Sequence, residues 1–235
     1  MKAWVLAPSV SMTLRWAGLS PGSIDDGRVE PGHDERGPGC RPEATMISVR
    51  RARAADAISI GSVHVAAWRS AYPGILPDDF LARLSVPRQA AHYDAAIRSS
   101  STGVFVASAS GNDVPPGSGS RIIGFATAGR ARTKLAGGSV LAEGEVETLY
   151  VLDDWRDRGV GRKLMRAAAA WLAEAGCKSC FVWVLRDNPS RWFYQRLGGK
   201  PTAEAVIQFA GQKVPQTAFV WDPIERLLAA SPQES

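Results

Sequence analysis

One turn constrains this chain more than any other feature. In Val151-Leu152-Asp153-Asp154-Trp155-Arg156-Asp157-Arg158-Gly159-Val160-Gly161-Arg162-Lys163-Leu164, a strand pattern ends and a short charged loop follows. Two glycines spaced by one residue then open a long helical pattern. The first four N–H groups of a helix lack internal partners, and the helix dipole makes that end electropositive. Glycine has no Cβ, so the backbone there can approach an anion closely. Arg156, Arg158, Arg162 and Lys163 add positive charge around the same point. A bare Gly-x-Gly would suit any tight strand-to-helix turn, but the Arg-x-x-Gly-x-Gly context favours a diphosphate. Two nucleotide-binding alternatives fail on the residues. A Walker loop ends in Gly-Lys-Ser/Thr, whereas Gly161 is followed by Arg162-Lys163-Leu164. A Rossmann fingerprint needs a third glycine where Leu164 stands.

The pattern around the turn predicts a mixed α/β domain. Strands are expected at 47–50, 104–109, 122–128, 145–151, 180–185, 205–209 and 214–221. Helices are expected after Asp56, near Asp78 and Asp79, from about Gly159 to Ala175, and from 190 to 197. Asp56 is placed to cap the first helix, whose apolar side runs through Ile58, Ile60, Val63, Val65, Ala67 and Trp68. Leu164, Ala168, Trp171 and Leu172 form a core face on the long helix. Residues 1–45 differ from the rest, being rich in Gly, Pro, Ser and mixed charge without an apolar period. They read as a disordered extension preceding one domain at 46–235.

Composition excludes several classes. The chain has 235 residues, 45% hydrophobic and 22% charged, and no apolar run near the roughly 18 residues of a membrane helix. No membrane partner is expected, and a cytoplasmic setting is. The +5 net charge suits an anionic ligand. A basic run interleaved with aromatics, which would indicate nucleic acid, is missing, so nucleic acid is not an expected partner. Cys177-x-x-Cys180 has the spacing of a metal pair, but His33, His64 and His92 add no ligand spacing to it. The two cysteines read as small apolar residues between helix and strand, and no metal is expected.

Three segments in order carry a family resemblance. Glu145-Val146-Glu147-Thr148-Leu149-Tyr150-Val151, Arg156-Asp157-Arg158-Gly159-Val160-Gly161 and Asp187-Asn188-Pro189-Ser190-Arg191-Trp192-Phe193-Tyr194-Gln195-Arg196-Leu197-Gly198 resemble the cofactor core of the GCN5-related N-acetyltransferase (GNAT) superfamily. His64, Trp68, Tyr72 and Leu76 echo it more faintly. Arg191 departs from it, standing where alanine is common. The resemblance implies a single domain with a mixed, mostly antiparallel sheet flanked by helices, and splayed strands 4 and 5 forming a cleft for coenzyme A.

It also implies a residue-level scheme with acetyl-CoA as co-substrate. Leu149, Tyr150 and Val151 would line the pantetheine, with backbone groups of Leu149 and Val151 pairing with it as if it were an added strand. Arg156 and the N–H groups of Arg158, Gly159, Val160, Gly161 and Arg162 would hold the pyrophosphate, and Asn188 would bond the pantetheine. Tyr194 would protonate the departing thiolate. Glu145 and Glu147, two apart on a strand, share one face with Leu149 and Val151 on simple alternation. Two close carboxylates in a dry cleft should raise one pKa and suit proton removal from an ammonium; equally, either could face solvent. The acceptor would be a small-molecule or peptide amine, in a groove where Trp68, Tyr72, Phe209 and Trp221 either converge or serve as core. A homodimer stays open. The competing readings are a non-catalytic CoA-binding module and a transferase acting on aminoacyl-tRNA.

Overall fold

The computed structural model describes residues 45–114, 119–132 and 140–231, so the expected extension lies outside the described residues except for Thr45. Seven strands form one sheet: β1 (Met46–Arg51), β2 (Thr102–Ser110), β3 (Arg121–Arg130), β4 (Gly144–Val151), β5 (Cys180–Leu185), β6 (Lys200–Phe209) and β7 (Gln212–Trp221). Their order across the sheet is β1-β2-β3-β4-β5-β7-β6. Every neighbouring pair is antiparallel except β4 and β5. Those two run parallel and pair only at Gly144↔Cys180 and Glu145↔Phe181, after which they separate. The mixed sheet with splayed fourth and fifth strands is the architecture the sequence implied.

Six helices cover the sheet among the described residues. On one face lie α1 (Ala57–Ala71), α2 (Asp78–Ala82) and α3 (Val86–Arg98). The other face carries α4 (Val160–Glu174), which packs on β2, β3 and β4, and α6 (Glu225–Ala230), which packs along α4. The short α5 (Arg191–Arg196) follows β5. The α4 face buries Leu164, Met165, Ala168, Ala169 and Leu172 against Val146, Leu149, Val182 and Phe219. Trp171, expected in that stripe, is only partly buried at its margin. The opposite face buries Ile60, Val63, Trp68, Tyr72, Tyr93, Phe125 and Tyr150. There His64 Nδ1 lies 2.8 Å from the Tyr93 hydroxyl and its ring stacks on Trp68. Burial pulls its pKa down to about 3, so it serves as a neutral core residue.

Three local expectations are corrected. Asp56 does not cap α1 with its side chain. Its carboxylate instead takes a bidentate bond from Arg50 at 2.7 and 2.9 Å and the Arg53 backbone N–H at 2.7 Å. That arrangement anchors the entry to α1 on β1. Helix α3 has no counterpart among the expected elements: its sequence is alanine-rich and polar, so its apolar stripe is thin, although Pro87 in its first turn is a helix-start signal. Strand β6 begins at Lys200, earlier than its apolar segment.

Trp221 holds α5 to the sheet. Its indole is fully buried, and Nε1 donates a 2.7 Å hydrogen bond to the Leu197 carbonyl just beyond that helix. Its ring also lies 6.3 Å from that of Tyr194. Trp221→Phe should leave the carbonyl unpaired and lower stability by about 1–3 kcal/mol, read as a reduced urea midpoint at unchanged slope.

Candidate active site

The β4–α4 connection builds an anion-sized cradle. A pocket of about 190 Å3 is lined by Val151, Trp155, Arg156, Asp157, Gly159, Val160, Gly161, Arg162, Phe193 and Arg196. Gly159 sits at the helix cap with φ 77°, a left-handed conformation that favours glycine. Gly161 has a different reason. A Cβ there would stand 3.3 Å from the Phe193 ring, so its absence lets α5 close against the helix start. The cations are distributed unevenly. Arg158 is paired with Asp113 at 2.6 Å and lies over the Trp155 ring, while Arg162 is exposed on the first turn. Arg156 bonds Asp153 and lies 3.4 Å from Ser70 Oγ of α1, yet its Nε is buried with no hydrogen-bond partner among the described residues. Arg191 lies over Trp192 and is not among the residues lining the pocket.

The cleft begins where β4 leaves β5. Leu152 N–H donates to the Ile123 carbonyl at 2.9 Å, so at that position the backbone faces β3. Successive strand residues alternate sides, so Val151 and Leu149 turn their backbone groups away from β3 and into the splay. Tyr150 faces β3 with its backbone and sends its fully buried ring among His64, Trp68 and Phe125, on the face of α1. Asn188 is also buried. Its Oδ1 accepts from Ser190 N–H at 2.9 Å and Ser190 Oγ at 2.7 Å, and its side chain bonds Tyr72. It therefore fastens α1 to the β5–α5 loop. Tyr194 is 0% exposed, and its hydroxyl has no hydrogen-bond partner among the described residues. Burial, with Tyr150 nearby, pushes its pKa well above that of an ordinary phenol. The side chain thus holds its proton at neutral pH.

The two glutamates lie on the other face from the one simple alternation predicts. Thr127 pairs with Thr148 and Ala128 with Val146, so Glu147 is an extra residue in β4, a β-bulge. Val146, Leu149 and Val151 consequently share the α4 face. Glu147 lies toward Thr127, whose Oγ1 is 3.4 Å from its Oε2, on the face of Tyr150. Glu145 pairs with Phe181, is 3% exposed and has Oε1 without a partner among the described residues. Burial first, and then the charge of Glu147, pushes its pKa up to about 8, with Arg132 opposing. Burial also raises Glu147, offset by Arg132 and the Thr127 bond. One carboxyl of the pair is therefore poised to gain or lose a proton near neutrality.

Of the four aromatic candidates for the acceptor groove, three converge. Trp68 lies 4.9 Å from Tyr72 and 6.0 Å from Phe209 between ring centroids. Trp221 packs on the opposite, α4 face. Sequence reasoning missed two buried polar side chains on the glutamate face, Trp183 and Gln216. Only the strand alternation of β5 and β7 carried a signal for them. Among the described residues no group of three or more His, Cys, Asp or Glu could hold a metal, and no helix is long and apolar enough to cross a membrane. Cys177 and Cys180 are free and buried, with both thiols raised by burial.

Known proteins share this arrangement. The model of the acetyltransferase (GNAT) family matches residues 67–199. An uncharacterized N-acetyltransferase of Bacillus subtilis, YuaI, is 32% identical over 182 residues, covering 77% of this chain and 96% of the relative. Among solved structures, yncA from Salmonella typhimurium with its cofactor acetyl-CoA superposes with a TM-score of 0.54 at 20% identity. It covers 75% of this chain and 93% of that one. Arabidopsis thaliana NAA60 in complex with acetyl-CoA gives 0.54 at 17% identity, covering 75% and 99%.

The Glu145 geometry fixes a stability profile. Its folded pKa lies above the ordinary 4.5, so the folded state binds the extra proton between pH 4.5 and about 8. Stability from this group is therefore intact below pH 4.5, falls as pH rises through that window, and is level above it. Thermal unfolding of wild type and Glu145→Gln should agree near pH 4.5, and the variant should gain steadily up to pH 8.

Proposed function

We propose, from a chain that belongs to the acetyltransferase (GNAT) family, that it moves an acyl group from acetyl-CoA to a primary amine by direct attack in a ternary complex. The observation that carries this reading is the Tyr194 hydroxyl, buried and without a partner among the described residues beside the splay of β4 and β5. An orphaned buried donor costs free energy unless a ligand completes it. The orphaned Arg156 Nε beside the α4 pocket supports the same ligand at its phosphate end. We take the transferase domain to start at Met46, where β1 begins, with residues 1–45 an extension preceding it.

Bound acetyl-CoA supplies the thioester, whose C–S bond is exchanged for the C–N bond of an amide. The open backbone edge at Leu149 and Val151 holds the pantetheine arm as an added strand would be held. The N–H groups from Arg158 to Arg162, with the Arg156 guanidinium, hold the pyrophosphate at the start of α4. Asn188 acts through the loop it fastens, keeping Tyr72 and α5 in place around the arm. Tyr150 contributes its buried ring to the wall of the cleft. Glu145, with Glu147 beside it, takes the proton that the acceptor's ammonium must lose, through water. Tyr194 gives a proton to the departing sulphur, and burial keeps that proton available.

Isothermal titration of acetyl-CoA into the full chain should show micromolar binding, abolished in Gly159→Glu, Gly161→Glu. Absence of binding by the folded wild type would overturn the cofactor assignment. Tyr194→Phe should bind acetyl-CoA unchanged and lose about 10²–10⁴-fold in kcat. The pH–rate profile should rise toward pH 8, and Glu145→Gln should flatten that limb.

A further inference from the structure

On the glutamate face of the sheet, several buried polar atoms beyond the proposed proton carriers have no hydrogen-bond partner among the described residues. Gln216 is 1% exposed, and neither its Nε2 nor its Oε1 is bonded. Trp183 Nε1 is likewise buried and unbonded. The register places them together. Trp183 pairs with Ala218 and Gln216 with Leu185, so they are diagonal neighbours on β5 and β7 with side chains on one face. Phe181, two residues before Trp183, is the partner of Glu145 across the parallel pair. Directly across the strands and two residues along its own, Gln216 has Leu185, Ala205, Val214 and Ala218 among the described residues, all apolar. Gln216 thus sits between two apolar clusters, one containing Phe209 and Val214, the other Phe181 and Trp183. A buried carboxamide in such surroundings is costly to the fold and gains a return only when something completes it.

The geometry points to Gln216 and Trp183 as the residues that position the acceptor by its amide group. This rests on the transferase reading above, with Glu145 beside the amine. Together the pair offers donors at Gln216 Nε2 and Trp183 Nε1 and an acceptor at Gln216 Oε1. A carboxamide or peptide group matches that set, because its carbonyl accepts from both N–H groups while its own N–H donates to Oε1. A free carboxylate would satisfy the donors but place its charge against Oε1, and a plain alkylamine would leave all three unmet. The spacing also fits. Two residues along β5 span about 6.6 Å, a distance that side chains reaching toward an amine and an amide on one carbon can bridge. The acceptor class is therefore an α-amino amide, as at the start of a peptide. In the transfer, the amine nitrogen bonds to the acyl carbon as the C–S bond breaks. The ammonium's first proton passes to Glu145 before attack. The nitrogen's second goes through water to replace the one that Tyr194 gives to the departing sulphur, and the amide group is unchanged.

The test compares L-alaninamide, L-alanine and isopropylamine as acceptors for the full chain, following thiol release, with wild type and Gln216→Leu. Wild type should favour alaninamide over each of the others by about tenfold or more in kcat/KM. Gln216→Leu should lose that preference, mainly through KM. Comparing ratios between the two enzymes cancels the different basicities of the amines. The variant should bind acetyl-CoA as wild type does, and its thermal midpoint should hold or rise, because an unpaired buried amide has been replaced by an apolar side chain. The same preference in both enzymes, or no preference in wild type, overturns the assignment. Acetyl-CoA binding without transfer to any of the three also overturns it, leaving the cofactor site standing. Failure to bind acetyl-CoA overturns the transferase reading and this inference with it.

Discussion

Parallel pairing between β4 and β5 lasts for two residues, and the rest of the site depends on that brevity. The extra residue at Glu147 comes two positions after the last pair, Glu145↔Phe181. A bulge bends its strand and increases local twist. Strand β4 stays with β3 through Val151, while β5 is held by six antiparallel pairs with β7. The sheet therefore opens between its fourth and fifth strands. The opening leaves backbone groups of Leu149 and Val151 without a strand partner on that side, a requirement that a bound extended arm would meet. The bulge also turns Glu145 and Glu147 to the face opposite Leu149 and Val151, so one irregularity separates the cofactor edge from the candidate base.

The two sides of the opening differ electrostatically. Beside the start of α4 the helix terminus, Arg156 and Arg162 combine unpaired N–H groups with positive charge, which favours a polyanion. On the other face burial dominates. It keeps His64 neutral and raises Glu145, while on the α4 side burial keeps Tyr194 protonated. Direct transfer from a thioester to an amine needs this combination: fixed charge for the cofactor, and low-dielectric, titratable groups where protons move. The faces are joined through Arg156, Asp153 and Ser70, which link the pocket loop to α1, and through Tyr72 and Asn188, which link α1 to the loop before α5.

The local signals in the chain were those with a local physical cause. Arg-x-x-Gly-x-Gly after an apolar strand marks the helix start because backbone geometry and charge there involve adjacent residues; Gly159 adopts the left-handed cap such a turn uses. The strands of the sheet and the core stripe of α4 follow from periods of two and 3.6 residues. Helix α3 escaped because its buried residues are Gln89, Ala90 and Tyr93, too weak a stripe to read without the neighbouring α1.

What the sequence by itself determined is the succession of the seven strands along the chain and the glycine turn that opens α4. Tertiary structure alone decided which residues meet. Trp221 alternates correctly for β7 yet faces α4, away from Trp68, Tyr72 and Phe209. The bulge at Glu147 shows only in the register of β4 against β3, and it reversed the face predicted for both carboxylates. Gln216 and Trp183 became visible only when the register set them side by side with no partner. Facing, pairing and burial depend on residues far apart in the chain, and a one-residue shift in register moves a whole strand's side chains to the other face.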